Sequence, residues 1–253
     1  MKTIGLIGGM SWVSTLDYYR LLNEEVQRRL GGLHSARVIL NSLDFAPLAE
    51  AQKTGEWDKV ADILTNAAMA LETAGAELLL IGTNTMHRVA DTIQTRIRIP
   101  LVHIADVVGD ATRDAGLQRV GLLGTRATME QDFYAQRLAA KRLQILTPPA
   151  TERERLDRLI FEELCRGVVT EAGRNLVLSL IRGLQQRGAQ GVILGCTELG
   201  GVAPQQSPLV PLFDSARIHA LKAVELAFLA YNQRKSKFST RRRVAGQRHQ
   251  TKT

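Results

Sequence analysis

The sequence predicts an α/β protein of two pseudo-symmetric domains, each a parallel-type sheet flanked by helices, with the active site in the cleft between them. Three observations lead to this fold class. Short, almost purely aliphatic runs, typical of buried parallel strands, alternate with amphipathic helical stretches. The motifs of the first half return in the same order in the second half. Polar residues directly follow two of the matched strands, where open α/β sheets bind their ligands.

The first half begins with the strand TIGLIGG and the helical segment STLDYYRLLNEEVQRRL. We expect Ser14 to cap this helix, because Ser is a favoured N-cap residue. The 3.6-residue period predicts one buried helix face, formed by Tyr19, Leu22, Val26 and Leu30. The strand ARVILNSL, the helix EWDKVADILTNAAMALETAG and the strand AELLLIG follow. A short helix then leads to the strand IPLVHIA.

The second half opens with the strand QRVGLLGT and a helix from about Ala127. The strand LQILTP precedes helices across residues 152–187, the first of which begins with a capping-box-like pair, Thr151 and Glu154. The strands QGVILGC and SPLVPLFD and a last helix near 215–231 complete this half.

The two halves share sequence motifs. GLIGG at 5–9 matches GLLGT at 121–125, LLLIGTNT at 78–85 matches GVILGCTE at 191–198, and PLVHIAD at 100–106 matches PLVPLFD at 208–214. Three matches in one order indicate duplication. The sequence therefore predicts domains over 1–113 and 114–231, with the last helix able to pack on the first domain, and a separate tail over 232–253.

All of the net charge of +8 lies in that tail. The segment has no acidic residue and contains the basic residues Arg234, Lys235, Lys237, Arg241, Arg242, Arg243, Arg248 and Lys252. Residues 1–231 are consequently neutral overall, which argues against a nucleic-acid-binding body. We expect a disordered, solvated tail with at most a weak, salt-sensitive attraction to nucleic acid.

No apolar run approaches the ~18 residues of a membrane span. The start of the chain does not resemble a secretory signal, so the sequence predicts a cytoplasmic protein without a membrane partner. The two cysteines, Cys165 and Cys196, form no CxxC motif and are expected to be reduced thiols. No metal-ligand cluster and no GxGxxG dinucleotide motif is present.

The internal match sets Thr83 opposite Cys196, each directly after a strand-ending glycine. Two proton-transferring groups on opposite sides of one carbon can invert a stereocentre, because one removes a proton and the other returns one to the opposite face. A thiol suits this task since its reference pKa is about 8.5. Asn84 and Thr85 follow the first member of the pair, and Thr197 and Glu198 follow the second. Their backbone N–H groups and the nearby hydroxyls could bind substrate carboxylates.

The motifs GGMSW, TNTMH and GCTE together resemble those of the aspartate/glutamate racemase family, over the whole of residues 1–231. Segments such as GGLHSA, GEWDK, GTRATMEQDFY and FEELC resemble its enterobacterial members specific for L-aspartate and L-glutamate. The resemblance implies a cofactor-independent amino-acid racemase, an amino-acid substrate and a homodimer. It also implies that Thr83 and Cys196 are the two acid/base positions.

The resemblance implies further roles, residue by residue. Substrate carboxylates would be bound by Asn84, Thr85 and Thr197. Met10 and Gln52 would close over the substrate, and Thr125 would occupy the position that mirrors Gly9. Thr125 is carried over as a substrate-binding residue, and so is Arg166, in a segment where the family often has lysine. His87 and Glu198 are candidates to support the acid/base pair.

The departure from the family is Thr83, where most members have cysteine. A threonine hydroxyl can donate a proton but is a poor base, so Cys196 is expected to be the principal base and to act on the L-enantiomer. Other candidates are interpreted as structural. Cys165 lies four residues after Phe161 on a predicted helix and is expected to pack in the core, as are His34, His103 and His219. Asp106 and Asp214 are expected to be helix caps.

Three alternatives stay open at this point. A broader amino-acid racemase would accept uncharged substrates such as homoserine. A related isomerase or decarboxylase would use Cys196 in another way, in one case as a nucleophile. A binding protein would sense an acidic amino acid in its cleft and contact nucleic acid through its tail.

Overall fold

The computed structural model describes residues 1–203 and 210–229. The first half contains strands β1 (Ile4–Gly8), β2 (Val38–Ser42) and β3 (Leu78–Ile81). Its helices are α1 (Trp12–Leu30), α2 (Phe45–Thr54), α3 (Trp57–Thr73), α4 (Ala90–Gln94) and α5 (Ile104–Asp114). A 3₁₀ helix over Thr85–Val89 connects β3 to α4.

The second half contains strands β4 (Arg119–Gly124), β5 (Gln144–Leu146), β6 (Gly191–Gly195) and β7 (Leu212–Asp214). Its helices are α6 (Arg126–Glu130), α7 (Asp132–Ala140), α8 (Ala150–Glu162), α9 (Glu171–Gln186) and α10, over residues 215–229. Two 3₁₀ helices, Leu164–Arg166 and Thr197–Gly201, follow α8 and β6.

The two sheets have the same parallel topology. The first has the order β2-β1-β3 and the second has the order β5-β4-β6-β7. The first sheet is extended beyond β3 only by a parallel bridge between Leu79 and Leu101. The strand predicted at IPLVHIA is therefore reduced to one bridge at the place that β7 occupies in the second sheet. The predicted fold class is confirmed, because each sheet is parallel and is flanked by helices.

Helix α10 packs against the first half of the chain. Its buried alanines, Ala216, Ala220, Ala223 and Ala227, join a core cluster with β1, β3 and α1. Small side chains allow the helix to approach the sheet closely. The division of the chain into domains over 1–113 and 114–231 stays a prediction. Helix α10 belongs to the second half in sequence but packs on the first.

The N-cap of helix α1 lies three residues before the predicted one, Ser14. Ser11 is the N-cap, since its backbone is extended and its hydroxyl accepts a hydrogen bond from the Ser14 amide. The buried face consists of Tyr18, Leu22 and Val26, whereas Tyr19 is exposed, so the predicted face was wrong in part. Burial against the sheet, and not apolar character alone, selects the face.

Two other predicted caps are also wrong. Helix α8 begins after Pro149, which places Thr151 inside the first turn. Helix α5 is capped by His103, whose Nδ1 accepts from the Ala105 amide, and Asp106 instead pairs with Arg137 at 2.7 Å. Asp214 does accept a hydrogen bond from the Arg217 amide at the start of α10.

Within the described residues, no helix is long and apolar enough to cross a membrane. The predicted basic tail, 232–253, lies outside those residues.

Candidate active site

Strands β3 and β6 carry Thr83 and Cys196 to one small cavity between the halves. Both strands are fully buried. A glycine directly precedes each of the two residues, Gly82 before Thr83 and Gly195 before Cys196. The cavity has a volume of about 20 Å³. Such a volume holds about one water molecule. The described structure is therefore closed around this site.

Most of the predicted site residues line this cavity. Its lining contains Met10, Gln52, Thr83, Asn84, Thr85, Thr125, Cys196 and Glu198. Sequence reasoning did not select the remaining lining residues, which are Phe45, Ile160, Phe161, Cys165 and Gly195. The cavity thus collects residues from both halves of the chain, as the internal repeat predicts.

Arg166 and Thr197 do not line the cavity. Arg166 is exposed on the 3₁₀ helix after α8, although its neighbour Cys165 faces the site. Thr197 is buried and its hydroxyl donates to Glu198 Oε2 at 2.7 Å. The binding roles that the resemblance gave to these two residues stay predictions, and the closed structure does not bring their side chains to the cavity.

The Glu198 carboxylate is the centre of the hydrogen bonding. It accepts from two hydroxyls, Ser11 at 2.8 Å and Thr197 at 2.7 Å. It also accepts from two thiols, Cys196 at 3.0 Å and Cys165 at 3.7 Å. Hydrogen bonds to an ionised carboxylate are stronger than those between neutral groups. Glu198 is consequently fixed beside the Cys196 sulfur.

Burial raises the pKa of the Cys196 thiol well above its ordinary value, and the nearby Glu198 carboxylate raises it further. A hydrogen bond from the Glu198 backbone N–H acts in the opposite direction. The thiol is therefore protonated in the closed cavity. The carboxylate 3.0 Å away is the group placed to accept its proton.

Thr83 reaches the cavity with a free hydroxyl. Among the described residues, no group forms a hydrogen bond with its Oγ1. Its backbone carbonyl accepts from His87 Nδ1 at 2.7 Å, which fixes the turn after β3. His87 is itself buried. This imidazole therefore holds the Thr83 backbone in place and does not line the cavity.

Asn84 and Thr85 connect the halves. The Asn84 amide donates to Ser215 Oγ at 2.9 Å and accepts from the Tyr134 hydroxyl at 3.1 Å. The Thr85 hydroxyl lies 2.9 Å from Thr125 and 3.2 Å from the Thr128 hydroxyl. These bonds occupy both side chains in the closed state, so any contact with a substrate has to replace part of this network.

Cys165 packs, partly buried, against the core of the second half, in agreement with its predicted role, and it also faces the cavity. It lies on the 3₁₀ helix after α8, lines the cavity and donates weakly to Glu198. Burial, and then Glu198, raises the pKa of its thiol. The helical spacing that suggested packing gave no signal for this placement, because the helix ends before Cys165 is reached.

The site can be compared with known proteins. A family model described as Asp/Glu/Hydantoin racemase matches residues 7–223. The chain belongs to this family. It is an amino-acid racemase, an isomerase, and the predicted family resemblance is confirmed.

Three similar proteins cover most of the chain. The crystal structure of an Asp/Glu racemase candidate from Yersinia pestis is 47% identical, with a TM-score of 0.82, over 90% of this chain and 100% of that one. An aspartate racemase homologue from Pyrococcus horikoshii OT3 is 39% identical, with a TM-score of 0.76, over 90% and 99%. The broad-specificity amino-acid racemase RacX of Bacillus subtilis (strain 168) is 22% identical over 90% of this chain and 99% of its own.

A larger cavity of about 680 Å³ adjoins the racemase site. Helix α2 forms one wall, and helices α6 and α8 form the other. Gln52 and Phe161 line both this outer cavity and the inner one. Phe45 and Phe161, one from each half, stack with ring centroids 6.3 Å apart. These side chains thus lie at the boundary between the two spaces.

Three buried histidines pack beneath Thr83. The ring centroids of His87 and His103 are 4.6 Å apart, and those of His87 and His219 are 5.6 Å apart. His219 Nε2 donates to the Val102 carbonyl at 2.8 Å, so its Nδ1 accepts from the Tyr18 hydroxyl at 2.7 Å. His87 Nε2 is buried and has no hydrogen-bond partner among residues 1–203 and 210–229.

These imidazoles make the fold sensitive to acid. Burial lowers the pKa of His103 to about 3, that of His219 to about 4 and that of His87 well below its ordinary value. In the unfolded chain the same groups take up protons below about pH 6.5. The stability that these neutral histidines contribute is therefore fully present above that pH. It is lost as the pH falls from about 6.5 towards 4. Each histidine should contribute a loss of about 1.4 kcal/mol per pH unit.

The free energy of unfolding, measured with denaturant between pH 7.5 and 5, checks this expectation. His103→Asn keeps a residue that can cap α5 and removes one titrating imidazole, so the slope should fall by about 1.4 kcal/mol per pH unit. His34→Asn, at an exposed position, is the matched control and should leave the slope unchanged. Equal slopes in wild type, His103→Asn and His34→Asn would contradict the assignment of the acid sensitivity to His103.

No group of three or more His, Cys, Asp or Glu side chains in the described part of the chain could hold a metal ion.

Proposed function

We propose that this racemase acts on L-aspartate and L-glutamate by two-base proton transfer at Cα, with Cys196 as the principal base and Thr83 on the opposite face. The observation that carries the proposal is the shared cavity, which takes a thiol from the end of β6 and an unpaired hydroxyl from the end of β3. A Cα atom between these groups would be accessible from both faces.

The first step is activation of the thiol. The Cys196 S–H gives its proton to Glu198 Oε2, which already accepts a hydrogen bond from that sulfur. The α-ammonium group of an amino acid favours the thiolate, because a nearby positive charge stabilises an anion. Substrate binding therefore lowers the pKa of the Cys196 thiol, whereas burial raises it.

The second step is inversion. The thiolate takes the Cα proton of the L-substrate, and the electron pair moves into the α-carboxylate as an enolate. The Thr83 hydroxyl then gives a proton to the opposite face. Proton exchange with water after opening restores the Thr83 hydroxyl and the Glu198 carboxylate. Backbone N–H groups at the starts of the two 3₁₀ helices support the enolate charge.

The substrate's side chain would extend towards Gln52, which lies at the boundary between the two cavities. Lys53, Arg126 and Arg158 line the outer cavity, although Arg126 is already paired with Glu130. Four acidic residues, Glu50, Glu130, Asp157 and Glu162, line the same cavity, so only a direct contact with Lys53 or Arg158 would favour an acidic side chain. Opening at Phe45 and Phe161 would admit the substrate, since the closed inner cavity is too small for an amino acid.

A broader substrate range is the second candidate. No lysine or arginine of the described residues lines the inner cavity, so a side chain held there would meet hydroxyl, amide, thiol and apolar groups and the Glu198 carboxylate. This lining would also accept an uncharged amino acid such as homoserine. The similarity to the broad-specificity racemase RacX supports this alternative.

A deuterium-exchange panel tests both candidates. The purified, reduced protein is incubated in heavy water with single amino acids and no added cofactor, and deuterium at Cα is measured by mass spectrometry. L-Glutamate and L-aspartate should exchange fastest, whereas homoserine would lead if the broader candidate holds. Absence of exchange throughout the panel would refute the proposal. Release of carbon dioxide or a covalent adduct at Cys196 would indicate the decarboxylase or isomerase alternative.

Thr83→Cys should raise Cα exchange of D-glutamate by about tenfold or more, because a thiol is a far better base than a hydroxyl at neutral pH. Exchange of L-glutamate should persist, since Cys196 is unchanged. The two directions of a racemisation share one kcat/KM, so wild-type asymmetry has to arise from poor binding of D-glutamate or incomplete turnover. Thr85→Ser is the control, because it keeps a hydroxyl and adds no thiol. Unchanged D-exchange in Thr83→Cys would contradict the role given to this position.

The family resemblance also supports a homodimer. Light scattering of the purified chain tests this, and a mass of one chain would contradict it.

A further inference from the structure

We propose that Ser11 is a positioning residue, which completes the proton acceptor of Cys196 only when the two halves are closed. This inference rests on the function proposed above and adds a contribution of the first half to the Glu198 carboxylate. Ser11 lies between β1 and α1, and Glu198 lies 187 residues further along the chain, after β6. The Ser11 hydroxyl donates to Glu198 Oε1 at 2.8 Å, and both residues are buried.

The two carboxylate oxygens of Glu198 have different partners. Oε2 accepts from Cys196 and Thr197, and Oε1 accepts from Ser11 and, more weakly, from Cys165. A strong bond at Oε1 restrains rotation of the carboxylate about its terminal torsion. Ser11 thereby keeps Oε2 at 3.0 Å from the Cys196 sulfur, where it can take the thiol proton.

Ser11 is the donor that depends on closure. The other donors to Glu198 among the described residues, Cys165, Cys196 and Thr197, belong to the second half and lie beside Glu198 in the chain or on the adjacent 3₁₀ helix. The inner cavity is too small for an amino acid, so substrate entry requires the halves to separate. Separation breaks the bond between Ser11 and Glu198 and exposes the carboxylate to water. The thiol is then activated only after the halves close on the substrate.

The same hydroxyl also caps α1, so the test has to separate the two roles. Ser11→Gly keeps most of the capping and removes the hydroxyl, because glycine is a tolerated N-cap residue. Ser11→Thr keeps both functions, and Ser11→Ala keeps neither. All three are assayed by Cα deuterium exchange of L-glutamate, with kcat and KM measured separately from pH 5 to 9, and by thermal unfolding.

The Gly and Ala variants should lose about 10- to 100-fold in kcat, as expected for a lost hydrogen bond to a charged group, with KM little changed. Their kcat should also depend on pH differently from that of wild type, because the carboxylate that accepts the Cys196 proton is no longer held in place. Ser11→Thr should restore both kcat and its pH dependence to those of wild type. The melting temperature should fall more in Ala than in Gly. A Gly variant with wild-type kcat and pH profile would show that Ser11 is a helix cap only.

A second measurement keeps this inference separate from the proposed function. In a Cys165→Ser background Cys196 is the single cysteine, and the ultraviolet absorbance of its thiolate against pH gives its ionisation in the closed site without any turnover. Ionisation of Cys196 should occur at higher pH in Ser11→Gly than in wild type and in Ser11→Thr. Unchanged profiles would overturn the inference even if exchange occurs. Shifted profiles without exchange in wild type would leave Ser11 in its role and refute the racemisation of L-glutamate.

Discussion

Cys196→Ser should reduce Cα deuterium exchange of L-glutamate by about 10²–10⁴-fold, which is the usual contribution of a positioned acid or base. The serine hydroxyl fills nearly the same space and can still donate to Glu198, so the fold should be preserved. It is much less acidic than a thiol and does not yield a useful concentration of the anion. The rate of exchange at saturating L-glutamate checks this, and full activity of the variant would contradict the assignment.

Cys165→Ser is the matched control for this experiment. It removes the other thiol of the same cavity and retains a donor that can reach Glu198. Exchange of the same order as in wild type is expected. If the two variants lost activity equally, the cavity would not distinguish the two thiols, and Cys196 would lose its special role.

Glu198→Gln should lower kcat for L-glutamate by about 10²–10³-fold with a smaller change in KM. The neutral amide cannot accept the Cys196 proton, and it offers one acceptor oxygen to the Ser11, Cys165, Cys196 and Thr197 donors that now share the carboxylate. Two of these donors would meet an NH₂ group instead. The variant should therefore be less stable as well as less active.

A second buried carboxylate separates these two effects. Glu25 is 6% exposed and pairs with Arg28 and Arg29 on α1. It does not line the inner cavity. Glu25→Gln should lower the melting temperature and leave kcat unchanged. Equal losses of kcat in both variants would mean that Glu198 acts through stability and not through proton transfer.

The internal repeat explains why the sequence predicted so much of the site. Thr83 and Cys196 follow strands of equivalent position, β3 and β6, each of which pairs with the first strand of its half. The same argument covers Thr125, which follows β4 as Gly9 follows β1. At Gly9 the backbone has a φ of +86° and a Cβ would lie 2.0 Å from the Leu43 carbonyl oxygen, so only glycine fits there.

The sequence could not predict contacts between residues distant in the chain. The bond from Ser11 to Glu198 and the stacking of Phe45 on Phe161 leave no local pattern, because each pair joins the two halves. Cys165 followed helical spacing in the sequence, but α8 ends at Glu162 and a tighter turn directs Cys165 to the cavity. The observed N-caps of α1, α5 and α8 also differ from the predicted ones, because the cap depends on the backbone conformation at the helix end.

By itself, the sequence determined the duplicated α/β fold and the two strand ends that carry a hydroxyl and a thiol, because hydrophobic period and chain order are local properties. Only the tertiary structure decided that the thiol is held against a buried carboxylate and that a serine from the other half completes this contact. The reason is physical: protonation and hydrogen bonding depend on distance and burial, which arise when the two halves close.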